Sequence, residues 1–398
     1  MKYPNNANRD FEWAVKLNRI SLEMIGLWPK PEKIRRDELK RNLYVFVVLL
    51  MLVIVGLFPC TLSLLRIQQN FTLIIEQLQF ILPLVTCVIR LVIFWWKKEA
   101  VISIMNMIVE DWLNSKNIQE KNIMITWAQK PRKIIMIAYS IMGISYACVV
   151  VLPALGISVT YTRNATDINK ILPLQGYYIY DVTKTPLYIL TYIGQVITFF
   201  FAVMAYTGID NFLGLLVFHI CGQMEILTAR FSCLSKLTKF RNGLESCVRN
   251  HIRLLRAIAI VEDTYNKILL ALFLYFGLLF AFFGFLLISL IEEKSYVSIT
   301  RILYLVSNLT NIFVHMGLYC AVGEILVSQC DKVYYAICDQ EWYCLDPKHA
   351  KDLIFLMIRT RISSYITAGK IFPMTMATFC NLVKTSVSYV SVMFTIKN

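Results

Sequence analysis

Residues 379–397 read Phe-Cys-Asn-Leu-Val-Lys-Thr-Ser-Val-Ser-Tyr-Val-Ser-Val-Met-Phe-Thr-Ile-Lys. The stretch is apolar enough to enter a bilayer and long enough to cross one, since a spanning helix needs about 20 mainly apolar residues. It is also laced with hydroxyls and carries Lys384. Uncompensated polar groups in hydrocarbon are costly, so a lipid-facing anchor has little use for them. A helix with a polar stripe points instead to a seam against protein or to a water-filled pore.

The rest of the chain has the same character. Of its 398 residues 57% are hydrophobic and 13% aromatic, too apolar for an ordinary soluble protein. Charges cluster between long apolar runs. Seven such runs predict an all-α, polytopic membrane protein, with spans near 43–65, 71–96, 134–161, 186–206, 268–291, 302–327 and 372–396. The second carries Glu76 and Arg90, which are too far apart to pair along one helix, and the favoured reading is that each snorkels to its own interface. Residues 208–227 hold Asp210 and His219 and read as a continuation of the fourth helix beyond the membrane. Phe11, Val15, Leu22 and Ile25 are spaced for one helix face, so 11–28 predicts an amphipathic helix at the membrane surface or packed on the cytoplasmic side. No cleavable signal peptide is expected.

Basic residues orient the chain. Of 40 Lys and Arg, 31 fall in the N-terminal region and in 97–133, 208–267 and 328–371. Seven fall on the opposite side, and Arg90 and Lys384 lie within spans. The asymmetry places the N-terminus in the cytosol and the C-terminus outside. The net charge of +14 is therefore a topology signal, and no nucleic-acid partner is expected. Two glycosylation sequons, at Asn70 and Asn164, fall in outer loops on this topology. A third, at Asn308, lies within a span and reads as a chance match. The eleven cysteines form no framework, because six fall in cytosolic regions and the others in spans. With four isolated histidines and no Cys-x2-Cys, no metal site is expected, and no cofactor. Nor is there a phosphate loop, a Gly-x-Ser-x-Gly or a His-Glu-x-x-His, so the chain is not expected to be an enzyme.

Short stretches in order along the chain resemble the insect odorant receptor family. They are Met24-Ile-Gly-Leu-Trp-Pro29, Leu172-Pro-Leu with Tyr180-Asp, His219-Ile-Cys-Gly-Gln-Met-Glu-Ile-Leu, and Val248-Arg-Asn-His-Ile-Arg-Leu-Leu-Arg-Ala-Ile with Val261-Glu-Asp-Thr-Tyr. Then follow Tyr319-Cys-Ala-Val-Gly-Glu-Ile-Leu, residues 336–342, Ala368-Gly-Lys and Lys384-Thr-Ser-Val-Ser-Tyr. Each is weak alone, but the ordered set spans nearly the whole chain. The resemblance implies a tuning subunit of a tetrameric, ligand-gated and poorly selective cation channel. Its partners would be odorant co-receptor subunits, its setting the plasma membrane of olfactory neurons with their membrane lipid, and its ligand a small, hydrophobic, volatile molecule. Regions 208–267 and 328–371 would form a cytosolic anchor. The seventh helix would be interrupted, with a cytosolic piece near 347–365 and a pore-lining piece near 373–396, broken around Arg359, Arg361, Gly369 and Pro373. The N-terminal region 1–42, helices one to four in 43–207 with the outer loop 162–185, helices five and six in 268–327, and the pore segment 372–398 complete the organisation.

Two sites follow. Val392, Thr395 and Ile396 are spaced i, i+3, i+4 and share a helix face. They match the family's gate, where stacked apolar rings close by dewetting. The alternative is that this face packs on a neighbouring helix. The family's odorant pocket lies in the outer half of helices two, three, four and six. Here that implies Phe80, Pro83 and Leu84; Val151 and Leu155; Tyr192, Gln195 and Phe199; and Tyr304, Ser307 and Asn308, with ordinary packing as the alternative for each. A gustatory receptor channel shares this fold but ends in a Thr-Tyr…Gln-Phe motif missing here. A G-protein-coupled receptor has the opposite orientation, and a transporter would show internal repeats.

Overall fold

The computed structural model describes residues 5–30, 35–67, 71–114, 117–156, 171–174, 176–234, 240–292 and 299–397. The described chain is helical apart from short connections and one small hairpin. Helix α1 (Asn5–Met24) comes first, then α2 (Arg35–Met51), which runs through a π-helical turn (Leu52–Leu57) into α3 (Phe58–Arg66). Next come α4 (Phe71–Trp96), α5 (Lys98–Asn114), α6 (Ile118–Ala154), α7 (Thr185–Ser232), α8 (Phe240–Glu292) and α9 (Ile299–Cys338). Helix α10 (Pro347–Thr360) precedes a hairpin of β1 (Thr367–Ala368) and β2 (Phe372–Pro373), and α11 (Met376–Lys397) follows.

Local chemistry explains where several of these elements start and stop. The π-helical turn sits just ahead of Pro59, where the backbone loses a donor and the ladder must adjust. Asn117 caps α6 by accepting a hydrogen bond from the Gln119 N–H at 3.0 Å. Helix α6 ends at Ala154, short of the 161 expected from hydropathy, with Leu155 as its cap and Gly156 at φ +76 just beyond. That left-handed residue is a common way to end a helix.

Six helices among the described residues are long and apolar enough to cross a membrane. They cover the first six expected spans, while α11, 22 residues long, covers the residues of the expected seventh but is not one of those six. Helices α7, α8 and α9 have 48, 53 and 40 residues. At about 1.5 Å per residue each far exceeds a hydrocarbon core of about 30 Å. Residues 208–227 are accordingly one piece with α7.

The core sits where α4, α7, α8 and α9 meet. Phe94 packs edge-on against both Phe212, at 5.7 Å, and Tyr265, at 6.2 Å. The buried Tyr265 hydroxyl donates to the Ile209 carbonyl at 3.1 Å. Helix α1 lays Ala14, Val15 and Leu22 against α5, α6 and α7, so its apolar face is spent on protein. Its end is tied by Lys30 and Arg19, which reach Glu23 at 2.6 and 3.1 Å and hold that carboxylate below its ordinary range.

The hairpin corrects the expected start of the seventh span. Phe372 and Pro373 are not helical but pair antiparallel with Ala368 and Thr367. Gly369 and Lys370 both have positive φ, 64° and 61°, as a primed hairpin turn requires. The turn is pinned to α8. The Gly369 N–H donates to the Asn266 carbonyl at 2.8 Å, and the Thr367 hydroxyl reaches Glu262 at 2.6 Å. Phe372 stacks on Phe273 at 4.6 Å. On α9, a Cβ at Gly323 would stand 2.0 Å from the Met374 carbonyl oxygen, so only glycine permits this approach.

Candidate functional site

Arg90 does not snorkel. It is wholly buried, and its guanidinium donates to Asp210 of α7 at 2.8 Å. It also lies over the Tyr206 ring at 3.8 Å. His315 of α9 stands 3.4 Å from the same Asp210 carboxylate, accepts or donates at 3.2 Å with the Tyr206 hydroxyl, and stacks on Tyr319 at 5.1 Å. Glu76 is buried too, at 6% exposure. The reason is geometric. Helix α4 is covered by α7 and α8, so neither side chain has a path to an interface, and Arg90 is neutralised where it lies. An unpaired buried charge would be costly, and a paired one with hydrogen bonds is tolerated. The signal for this was present in Tyr206, Asp210 and His315, but these partners lie 116, 120 and 225 positions from Arg90 along the chain.

The expected pocket residues divide. Phe80, Leu84 and Phe199 come together, but with Cys60, Leu64 and Leu174 rather than with α9. This cluster joins the α3 end of the first span to α4 and α7, with Pro83 half-buried beside it. Gln195 is fully buried and already committed. Its amide accepts from the Leu174 N–H at 2.9 Å and donates to the Leu174 carbonyl at 3.0 Å and to the Tyr178 hydroxyl. It ties Leu174 and Tyr178 to α7, so its amide is already engaged within the chain. The Tyr192 hydroxyl donates to the Val150 carbonyl of α6. Val151 and Leu155 are exposed, at 48% and 68%, and Ser307 is exposed while Asn308 is half-buried. Tyr304 lies on α9, with its side chain outside the described part. Asn70 and Asn164 also lie outside the described residues.

Helix α11 packs on α8 and α9. Phe379, Leu382 and Ser386 form its buried face, with Phe379 edge-on to Phe313 at 4.8 Å. Its start is fixed by Glu324, which accepts from the Met376 N–H at 3.2 Å, a favourable place for a carboxylate. Val392 is exposed, at 54%, and so is not packed within its own chain. Thr395 and Ile396 lie on the same helix with side chains outside the described part.

The stretch 219–227 is turned inward. Ile220, Cys221, Met224, Ile226 and Leu227 are buried. His219 meets Asp111 at 3.0 Å, and Asp111 also takes Arg253 of α8. The Trp127 indole donates to Glu225 at 2.8 Å. Exposed apolar side chains near this end include Tyr335 of α9, Ile354, Phe355 and Ile358 of α10, and Ile362 just beyond it.

The described chain is a bundle of long helices in which a pinned hairpin leads into α11, packed on α8 and α9, and comparison with known proteins identifies its family. Residues 70–387 match the family model described as 7tm Odorant receptor, and the chain belongs to that family. Curated relatives include Odorant receptor 9a of Drosophila melanogaster, 23% identical over 60% of this chain and 59% of its own length. Odorant receptor 13a of the same species is 24% identical over 64% of this chain and 65% of its own length. The match to these two thus spans under two thirds of each relative. Odorant receptor 33a, at 22% identity, is matched over 84% of this chain and 86% of its own. The solved structure of the insect olfactory receptor OR5 from Machilis hrabei shares the fold, with TM-score 0.81, 16% identity, and 97% and 98% of the two chains covered. The same receptor in complex with eugenol aligns with TM-score 0.79 and 17% identity, over 98% of this chain and all of that one.

Proposed function

We propose that this chain is the odorant-binding subunit of a ligand-gated, poorly selective cation channel in the plasma membrane of olfactory neurons. It crosses the membrane seven times, with the N-terminus cytosolic, and joins co-receptor subunits around a shared pore lined by α11. The observation that carries this reading is the orientation of α11. Its apolar residues Phe379 and Leu382 face its own bundle, while Asn381, Lys384 and Val392 face away from it. Lipid is a poor neighbour for that outward face, and a shared aqueous path is a good one. Family membership and the fold of a receptor solved with eugenol support a small apolar ligand. The outer halves of α4, α6, α7 and α9 are where such a ligand is received, with Tyr304 and Asn308 one turn apart as orienting groups.

The test is electrical. In excised patches from cells expressing the chain with the co-receptor, and bathed without GTP, odorants should evoke a cation current. Its odorant profile should differ from that of co-receptor alone. A current that requires GTP, or that is identical without this chain, would contradict the reading.

A further inference from the structure

Within the expected spans, Lys384 is a cation for which no carboxylate partner is found among the described residues. Arg90 is paired with Asp210. Lys384 sits on α11 with an exposed side chain, and among the described residues no carboxylate forms an ion pair with it. The hydroxyls around it are less informative. Thr385, Ser386 and Ser388 donate back to the carbonyls of Asn381, Leu382 and Lys384, at 2.8, 2.9 and 3.1 Å, and so are satisfied in any surroundings. An ammonium cannot be satisfied that way and demands water or an anion.

Its direction is fixed by packing. At about 100° per residue, Lys384, Ser388 and Ser391 form one stripe roughly opposite Leu382 and Ser386, which are the residues buried on the bundle. The charge therefore points away from the subunit's own body, about 80° around the helix from the exposed Val392.

We propose that Lys384 is a selectivity-determining residue, placing a fixed positive charge on the permeation path that depresses cation flux and disfavours divalent cations. This rests on the reading of α11 as the pore helix. A unit charge roughly 8 Å from an ion in water changes its local concentration about two-fold for a monovalent cation and about five-fold for a divalent one. The effect should therefore appear most strongly with calcium. Because one charge enters per copy of this chain, the calcium permeability of a mixed channel would report how many such subunits it holds.

The experiment uses complete channels with the co-receptor, opened by odorant. K384Q should raise unitary conductance about two-fold and the calcium-to-sodium permeability ratio about two-fold as well, while K384R should match the parent. In K384C, a cationic thiol reagent should restore the low calcium permeability, and an anionic one should raise it further. Equal effects of the two reagents, or no change in K384Q, would overturn the assignment, as expected if the ammonium snorkels to lipid headgroups. S388C separates the two levels of the argument. If it reacts with aqueous reagents in open channels while K384Q is silent, the pore reading stands and the role of Lys384 falls. If S388C is inert, both fall.

Discussion

Single residues decide how this bundle tolerates charge. Arg90, Asp210, Tyr206 and His315 make one buried knot tying α4, α7 and α9 together. Arg90→Met leaves Asp210 buried without its cation, which should cost about 3–5 kcal/mol. The double variant Arg90→Met with Asp210→Leu removes both charges and should recover most of that loss. Thermal unfolding in detergent of the three variants checks this, and a double variant no better than the single would remove the pair from the account. Hydropathy alone marks Arg90 as an exception to be explained. It does not show the explanation, because a partner 120 positions away becomes a neighbour only after α4 and α7 pack. Gln195 teaches the same lesson in reverse. A glutamine in an apolar helix looks available to a ligand, and folding spends it on the Leu174 backbone.

At the scale of elements, the spans were readable because apolar runs of this length have few other uses. Their ends were not. Helices α7, α8 and α9 continue as one piece far beyond the length a span requires, since polar residues such as Asp210 and His219 stop a hydropathy run without stopping a helix. The break before α11 was visible in Gly369 and Pro373, but its form as a pinned hairpin depends on Asn266, Glu262 and Gly323 on other helices. Gly323 gives the clearest handle on it. With a Cβ due 2.0 Å from the Met374 carbonyl oxygen, Gly323→Ala must push the hairpin and the start of α11 off α9. Overpacking of this kind costs about 1–3 kcal/mol. Channels carrying it should reach the surface in reduced number and should open less at saturating odorant. Normal maximal current per surface channel would show that the contact does not position α11.

For the whole molecule, the helical fold and the family were within reach of the sequence, through the long apolar runs and the ordered short motifs. The assembly was less so. Much of the stretch 219–227, within the expected anchor, is buried in its own chain, while apolar side chains of α9 and α10 such as Tyr335, Phe355 and Ile358 stay exposed. Topology remains the simplest global test. An epitope after Met1 should be stained only in permeabilised cells, and one after Asn398 on intact cells, and the reverse pattern would be incompatible with a pore helix running outward. The central claim, that α11 lines a path opened by odorant, is tested most directly by cysteine accessibility in channels formed with the co-receptor. Cysteines at Val392 and Ile396 should react with membrane-impermeant thiol reagents while odorant is present, slowly or not at all in its absence, and a cysteine at Val390 should remain inert. Reactivity at Val390 with Val392 and Ile396 spared, or rates indifferent to odorant, would contradict the account.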